Sequence, residues 1–371
     1  MLWKRFGGIR LKGKPWKKVI CLSAASGIVY ILSLLAQHYP HIVERVYSRG
    51  IYPIYAQVFS CISGIFPISL SEFGLLAVLP AALVLTVIRL VKRKTNWQRA
   101  VSAWLSAALV LYLLFQAGWG FNYSRLPYSA IAGLDTQPVE FDKVEQLVES
   151  LALQANELRA QVKEGDEAFA LEVSAHQVMK KVGAAYENAA KTRPWLKGRY
   201  GAPKLAVLSV PLAYLNIAGI FSPLTMNAHV NACEADCLLA ATAMHEAAHL
   251  RGFAREDEAN YIAYIVCMES EDAFVRYSGT LLALIYAGNA LANADMQRYG
   301  EIYATYSAGV KADLRAYNAN WEPYDGKAAE VHEQVNDAYL KANHQTDGVK
   351  SYGRMVDLLI AQMEKDKSSK E

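Results

Sequence analysis

The chain has 371 residues, a net charge of +3 and only 20% charged residues, so it has no basic field of the kind that binds nucleic acid. Hydrophobic residues reach 53%, high for a soluble enzyme. The excess lies in the first third, which points to membrane spans rather than one soluble globule.

Three runs are about the ~20 residues a helix needs to cross the hydrocarbon core. They are 19–37 and 100–119, both uncharged, and 73–90, whose single charge, Arg89, lies near its end and can snorkel. Pro80 in the second run is tolerable, because neighbouring helices can satisfy the freed carbonyl. The leader carries Lys4, Arg5, Arg10, Lys12, Lys14, Lys17 and Lys18 without an acid. It is long, and HYPH after the first run offers no small-residue cleavage site, so the run reads as a retained span rather than a signal peptide. Lys92, Arg93, Lys94 and Arg99 make the second-to-third connection basic too, whereas Arg45 and Arg49 in the intervening loop are offset by Glu44 and Glu72. The positive-inside rule then puts the N-terminus in the cytoplasm and everything after Trp119 outside. Ile51–Leu70 is apolar but contains Pro53, Gly64 and Pro67, and reads as an interfacial or re-entrant piece.

The expected organisation is therefore a membrane domain, 1–120, and an extracytoplasmic domain, 121–371. Trp119, Phe121 and Tyr123 fit an interfacial aromatic belt at the exit from the bilayer. Thr136–Val139 reads as a turn, Phe141–Val162 as an amphipathic helix and Ala168–Ala190 as another. Leu205–Val210 (LAVLSV) reads as a strand, and Ile220–Ala232 as irregular to extended. Leu238–Arg251, Glu256–Met268 and Ser278–Leu291 read as helices, the last too short and too interrupted by Gly288 for a fourth span, with more helix to about Ala361. The second domain is thus mostly helical α+β.

Chemistry concentrates in MHEAAHLRGFAREDEAN, Met244–Asn260. On a helix, His245 and His249 lie one turn apart and share a face. Glu246 is turned away from that ion position but can reach a water on it, the H-E-x-x-H arrangement of two zinc ligands and a general base. A surface helix that happens to hold two histidines is the plainer reading. It fits poorly with the apolar Leu238, Leu239 and Ala243 upstream, since buried imidazoles need partners. Gly252 can break the helix in a left-handed cap and return the chain, so that a second helix starting near Glu256 supplies the third ligand. Glu258 is the alternative on the same helix. Asn260, one turn after Glu256, can orient a histidine from behind.

These residues carry a resemblance. H-E-x-x-H followed by a helix with E-x-x-A-N resembles the gluzincin class of metallopeptidases, which implies Glu256 as third ligand and Asn260 as support for a histidine. More narrowly, GFNYSRLP, HEAAHLRGFAREDEANYIAYIVC, RYSGTLLALIYAGNAL and NDAYLKANHQTDGVKSYGRMVDLL resemble a bacterial family of uncharacterised multi-pass membrane proteins with a zincin-like domain. The step from His249 to Glu256 is shorter than in most gluzincins.

The expected function is a membrane-anchored zinc metallopeptidase of the bacterial plasma membrane, acting on a peptide or protein with one zinc ion and Glu246 as base. The oxyanion donor is sought among Tyr339, Tyr352, His344, Arg354 and Tyr277. Asn227–Ala232 is the candidate edge strand for substrate, with His229 structural or substrate-facing. Cys233 and Cys237 either pair or stay free. A catalytically silent zinc-stabilised receptor or scaffold, or a zinc amidase acting on an envelope component, stands as the rival.

Overall fold

The computed structural model describes residues 14–136, 140–163, 165, 168–343 and 354–369. The protein is mostly helical, at 73%. Helix α1 (Lys14–Ala36) packs along a later helix. After it, α2 (Tyr52–Ile65) leads into α3 (Leu70–Val91) and α4 (Trp97–Gly118), the partner of α1. Pro15–Ala36, Leu70–Val91 and Trp97–Gly118 are long and apolar enough to cross a membrane, close to the runs expected from sequence. Their starts are marked by local chemistry: Ser69 Oγ accepts from Glu72 N and Asn96 Oδ1 from Arg99 N. Leu83, Val84, Leu85 and Val87 are exposed along α3, as on a helix solvated by lipid.

Helix α2, within Ile51–Leu70, is shorter than a span. Tyr52, Ala56, Ser60 and Ser63 are buried on one face, while Ile54, Val58 and Ile62 are exposed on the other, the two-sided pattern of a piece lying at a boundary. Lys204 Nζ donates to the carbonyls of Ser63, Phe66 and Ile68 at 2.8, 2.8 and 3.0 Å, satisfying the helix end.

The remaining domain is built around α7 (Leu239–Leu250). Before it come α5 (Phe141–Arg159), α6 (Ala175–Ala189) and three short strands, β1 (Lys204–Leu205), β2 (Gly219–Ser222) and β3 (Asn227–Val230). After it come α8 (Glu256–Met268), α9 (Ala273–Ala294), α10 (Met296–Ala304), α11 (Ala308–Trp321), α12 (Lys327–Ala342) and α13 (Met355–Ser368). Ala240, Ala241, Ala243, Ala247 and Ala248 are buried on α7. Their small side chains let α6, α8 and β3 approach it from several sides.

Several expectations are corrected here. The helix expected from Ala168 begins at Ala175, where Ser174 and Gln177 close a capping box. Leu205–Val210 is strand only as far as Leu205, because Ser209 Oγ donates to the Ala206 carbonyl at 2.6 Å and the chain turns into a short helix over Ser209–Ala213. Ile220–Ala232 holds most of a hairpin. The sheet order is β1-β3-β2, with β1 parallel and β2 antiparallel to β3. The segment expected at the edge, Asn227–Ala232, is therefore central, and the edge next to it is β2. Ser278–Leu291 lies within the longer α9, whose Tyr277, Leu281, Leu284 and Leu291 are buried in the protein core. The Thr136–Val139 turn falls mostly outside the described residues.

The membrane-proximal segments grip the end of α7. Arg125, just after α4, makes a two-pronged pair with Glu44 at 3.0 and 2.9 Å and donates to the Gly252 carbonyl at 2.8 Å. All three groups are buried. Such a pair is costly to break from one side, since the remaining charge stays in the interior. Arg125→Ala should therefore lower stability by ~3–5 kcal/mol, and adding Glu44→Gln should recover part of the loss. Thermal unfolding in detergent reads both, and an unchanged midpoint in Arg125→Ala would remove this brace from the account.

Candidate metal centre

Helix α7 ends in a Schellman turn. Gly252 N bonds the His249 carbonyl at 2.8 Å and Phe253 N the Ala248 carbonyl at 3.2 Å, with Gly252 at φ +85. A side chain there would meet the Tyr52 ring at 2.9 Å, so both backbone and space call for glycine. Arg251, buried between the Tyr186 and Tyr200 rings at 3.5 and 4.6 Å, donates to the Ala247 carbonyl at 2.9 Å and locks the turn. The chain then doubles back, and Glu256, the first residue of α8, returns to the histidines.

His245 Nε2 and His249 Nε2 lie 3.0 Å apart, and Glu256 Oε2 is 3.2 Å from the first and 3.4 Å from the second. The other nitrogen of each ring faces a carbonyl oxygen: His245 Nδ1 that of Asn260 at 2.8 Å, His249 Nδ1 that of Phe253 at 2.7 Å. A carbonyl only accepts, so each Nδ1 carries a hydrogen and each Nε2 is turned inward. Three lone pairs facing one another would repel, so positive charge between them, a proton or a metal ion, is favoured. Burial works against a charge on His249, but the Glu256 carboxylate outweighs it and pushes the imidazole up to about 9. Burial also opposes ionisation of Glu256, yet His249 and His245 hold it well below the usual carboxylate range.

The donor set fits zinc. Ligands ~2.0–2.1 Å from a tetrahedral zinc stand about 3.3 Å from one another, and the three observed separations bracket that value. Glu258 does not join them: it is buried, accepts from Tyr128 N at 2.8 Å and lies 3.8 Å from Arg255.

Glu246 is 4% exposed, and its Oε2 has no hydrogen-bond partner among the described residues. Burial pushes its carboxyl up to about 7, with the two histidines offsetting part of the rise. Gly219, at the start of β2, lets the backbone pass: a Cβ there would stand 2.5 Å from Glu246 Oε1.

The other expected residues scatter. Tyr339, on α12, reaches the cleft and shares a 2.8 Å hydrogen bond with Tyr123. Tyr352 and His344 lie outside the described residues. Arg354 is exposed at the start of α13, 4.0 Å from Asp357. Tyr277 is no oxyanion donor, because it is buried in the core and its hydroxyl is committed to Asp313 at 2.5 Å. His229 is structural, bonding Ser69 Oγ at 2.8 Å through Nε2 and the Ile220 carbonyl at 3.2 Å through Nδ1. Cys233 and Cys237 are free.

Sequence reasoning missed three contributors: Trp119, whose ring meets that of His249 edge-on at 6.3 Å, Tyr123, and Glu234. All three line a cleft of about 810 Å³ that also takes in His245, Glu246 and His249. The aromatic pair was visible in the sequence only as a bilayer belt, and Glu234 gave no motif at all.

A small sheet carried on a helical domain, three candidate spans and a converging His–His–Glu group together define a largely helical membrane-associated protein with a pre-shaped polar centre. The family model described as "Protein of unknown function (DUF3810)" matches residues 47–360, and the chain belongs to that family. No curated protein and no solved structure matches it.

Glu234 offers a test independent of any metal. It is buried, its Oε1 accepts from Ala235 N at 2.8 Å and its Oε2 from Thr242 Oγ1 at 3.2 Å. Burial pushes it up to about 7. The facing titratable groups, Tyr286, Tyr317 and Cys237, are themselves pushed up by burial and stay neutral in this range. A carboxyl whose folded pKa is raised costs the fold nothing below its unfolded value, and stability is lost as pH rises from about 4.5 to about 7. Glu234→Gln should thus melt above the wild type at pH 8 and together with it at pH 4.5. An equal difference at both would show that the carboxylate is not carrying a burial cost.

Proposed function

We propose that this protein is a membrane-anchored, zinc-dependent metallopeptidase with a zincin-like domain outside the cytoplasm. The observation that carries the reading is the convergence of two imidazole nitrogens and one carboxylate oxygen, all within 4.8 Å of one another, beside a buried carboxylate with a free oxygen. The orientation rests on the acid-free basic clusters before α1 and between α3 and α4.

His245, His249 and Glu256 would hold the ion, with Asn260 and the Phe253 carbonyl fixing the tautomers. When bound, zinc supplies Lewis acidity, drawing the pKa of a water toward ~7 and polarising a carbonyl. Glu246 accepts the proton of the attacking water at Oε2 and returns it to the departing amine nitrogen. The Tyr123–Tyr339 pair presents a hydroxyl hydrogen to the developing oxyanion, Tyr339 at the cleft wall and Tyr123 positioning it. Gly219, Ile220 and Phe221 of β2 line the cleft, and as an edge strand β2 can pair with an extended substrate in the role first expected of Asn227–Ala232. Because Trp119 directly follows α4, the cleft opens near the bilayer surface, which suits substrate segments close to the membrane.

The test is Glu246→Gln. Hydrolysis of peptides should fall by ~10²–10⁴ while the zinc content per chain stays at the wild-type level. Undiminished hydrolysis would contradict the role of Glu246. A wild type that holds zinc but cuts only envelope amides would move the same machinery to amidase chemistry, and one that holds zinc but cuts nothing would leave the scaffold.

A further inference from the structure

We infer that the cleft recognises an ammonium group on its ligand, and that Glu234 receives it. Deepening the preceding reading, this depends on it only for the bond that is cut, not for the binding. The cleft wall carries six carboxylates and no lysine or arginine. Glu246 and Glu256 have roles at the metal centre, and His245 and His249 are turned onto that centre. Glu234, Asp325, Glu330 and Glu333 remain, with His332 as the nearest basic group in the wall, its charged form disfavoured by burial.

Acidic residues alone would make only a solvated rim. Glu234 differs from the other three, being 7% exposed while Asp325, Glu330 and Glu333 lie exposed at the surface. Its hydrogen bonds come from the neutral Ala235 N–H and Thr242 hydroxyl, with the Trp321 side chain also bonding it. A buried carboxylate held only by neutral donors is costly when ionised, and an incoming cation removes that cost. The surroundings suit a cation with an alkyl stem: Trp321, Tyr317 and Tyr286 line the same wall, and aromatic rings favour such groups. The Oε2 of Glu246, buried and without a hydrogen-bond partner among the described residues, lies along the same cleft.

Position fixes which part of the substrate is read. Thr242, which touches Glu234, precedes Glu246 by one helical turn, ~6 Å along α7. An extended chain advances ~3.3–3.6 Å per residue. The ammonium therefore sits within about two residues of the reacting bond, either as the amino terminus of a short substrate or as a lysine-type side chain. Asp325, Glu330 and Glu333, outside it, draw the same charge inward.

The experiment uses the zinc-loaded full chain in detergent with Glu246→Gln, which holds peptides uncut, and three otherwise identical dye-labelled hexapeptides. One has a free amino terminus and norleucine, one an acetylated terminus and lysine, and one an acetylated terminus and norleucine. By fluorescence anisotropy, at least one ammonium-bearing peptide should bind tenfold or more tightly than the neutral one. Adding Glu234→Gln should bring that ratio close to one. The peptide that wins tells the terminal amine from the side chain. Equal binding of all three, or a preference that survives Glu234→Gln in a variant that melts like its parent at pH 4.5, overturns the inference. The wild type is run in parallel for cleavage. Amine-selective binding without any cleavage would remove the hydrolase reading and leave this one, whereas cleavage of all three without selective binding would do the reverse.

Discussion

Two imidazoles whose Nδ1 hydrogens point to carbonyl oxygens turn their Nε2 atoms on each other and on a carboxylate, so positive charge between them, whether a proton or a metal ion, is needed to hold the three together. That electrostatic requirement orders the rest of the domain. The Phe253 carbonyl and Asn260 set the tautomers, and the Gly252 turn brings Glu256 back within 3.4 Å of both rings. The alanine-rich α7 lets β3, α6 and α8 close around the group. The two rings are thus held from behind, by Asn260 and by the Phe253 carbonyl.

The membrane-proximal chain is part of the same device. Tyr52 donates to the Leu250 carbonyl at 3.1 Å, Arg125 ties Glu44 to the Gly252 carbonyl, and Trp119 stands against His249. Lys204 reaches from β1 to the end of α2. The Tyr52, Arg125 and Trp119 contacts are buried and directional, so residues between the first two candidate spans and just after the third form the wall behind the centre. A soluble fragment starting after α4 would lose Glu44 and Tyr52 and leave Arg125 without its partner.

Much of this was legible in the sequence where the signal is periodic or local. The three apolar runs, the amphipathic Phe141–Val162 and the one-turn spacing of His245 and His249 each follow from the repeat of a helix. Choosing Glu256 over Glu258 was harder, because both sit in the first turn of α8. Their separation depends on where that helix starts and on Tyr128, which takes Glu258 away from more than a hundred residues upstream. LAVLSV has strand-like side chains, yet the Ser209 hydroxyl and Pro211 favour a helical turn. The central place of β3 is set by pairing on both sides, which no single segment encodes. Glu234 and the Tyr123–Tyr339 pair join the cleft only through tertiary packing, and nothing in their neighbours announces it.

The central claim is the three-residue grip on a divalent ion, and its most direct test is the zinc content of the purified full-length protein, measured by mass spectrometry for the wild type and for His249→Ala, Glu256→Ala and Glu258→Ala. One zinc per wild-type chain, lost in the first two variants and kept in the third, is the predicted result. A wild type without metal, or one whose zinc survives removal of Glu256 but not of Glu258, would contradict the account.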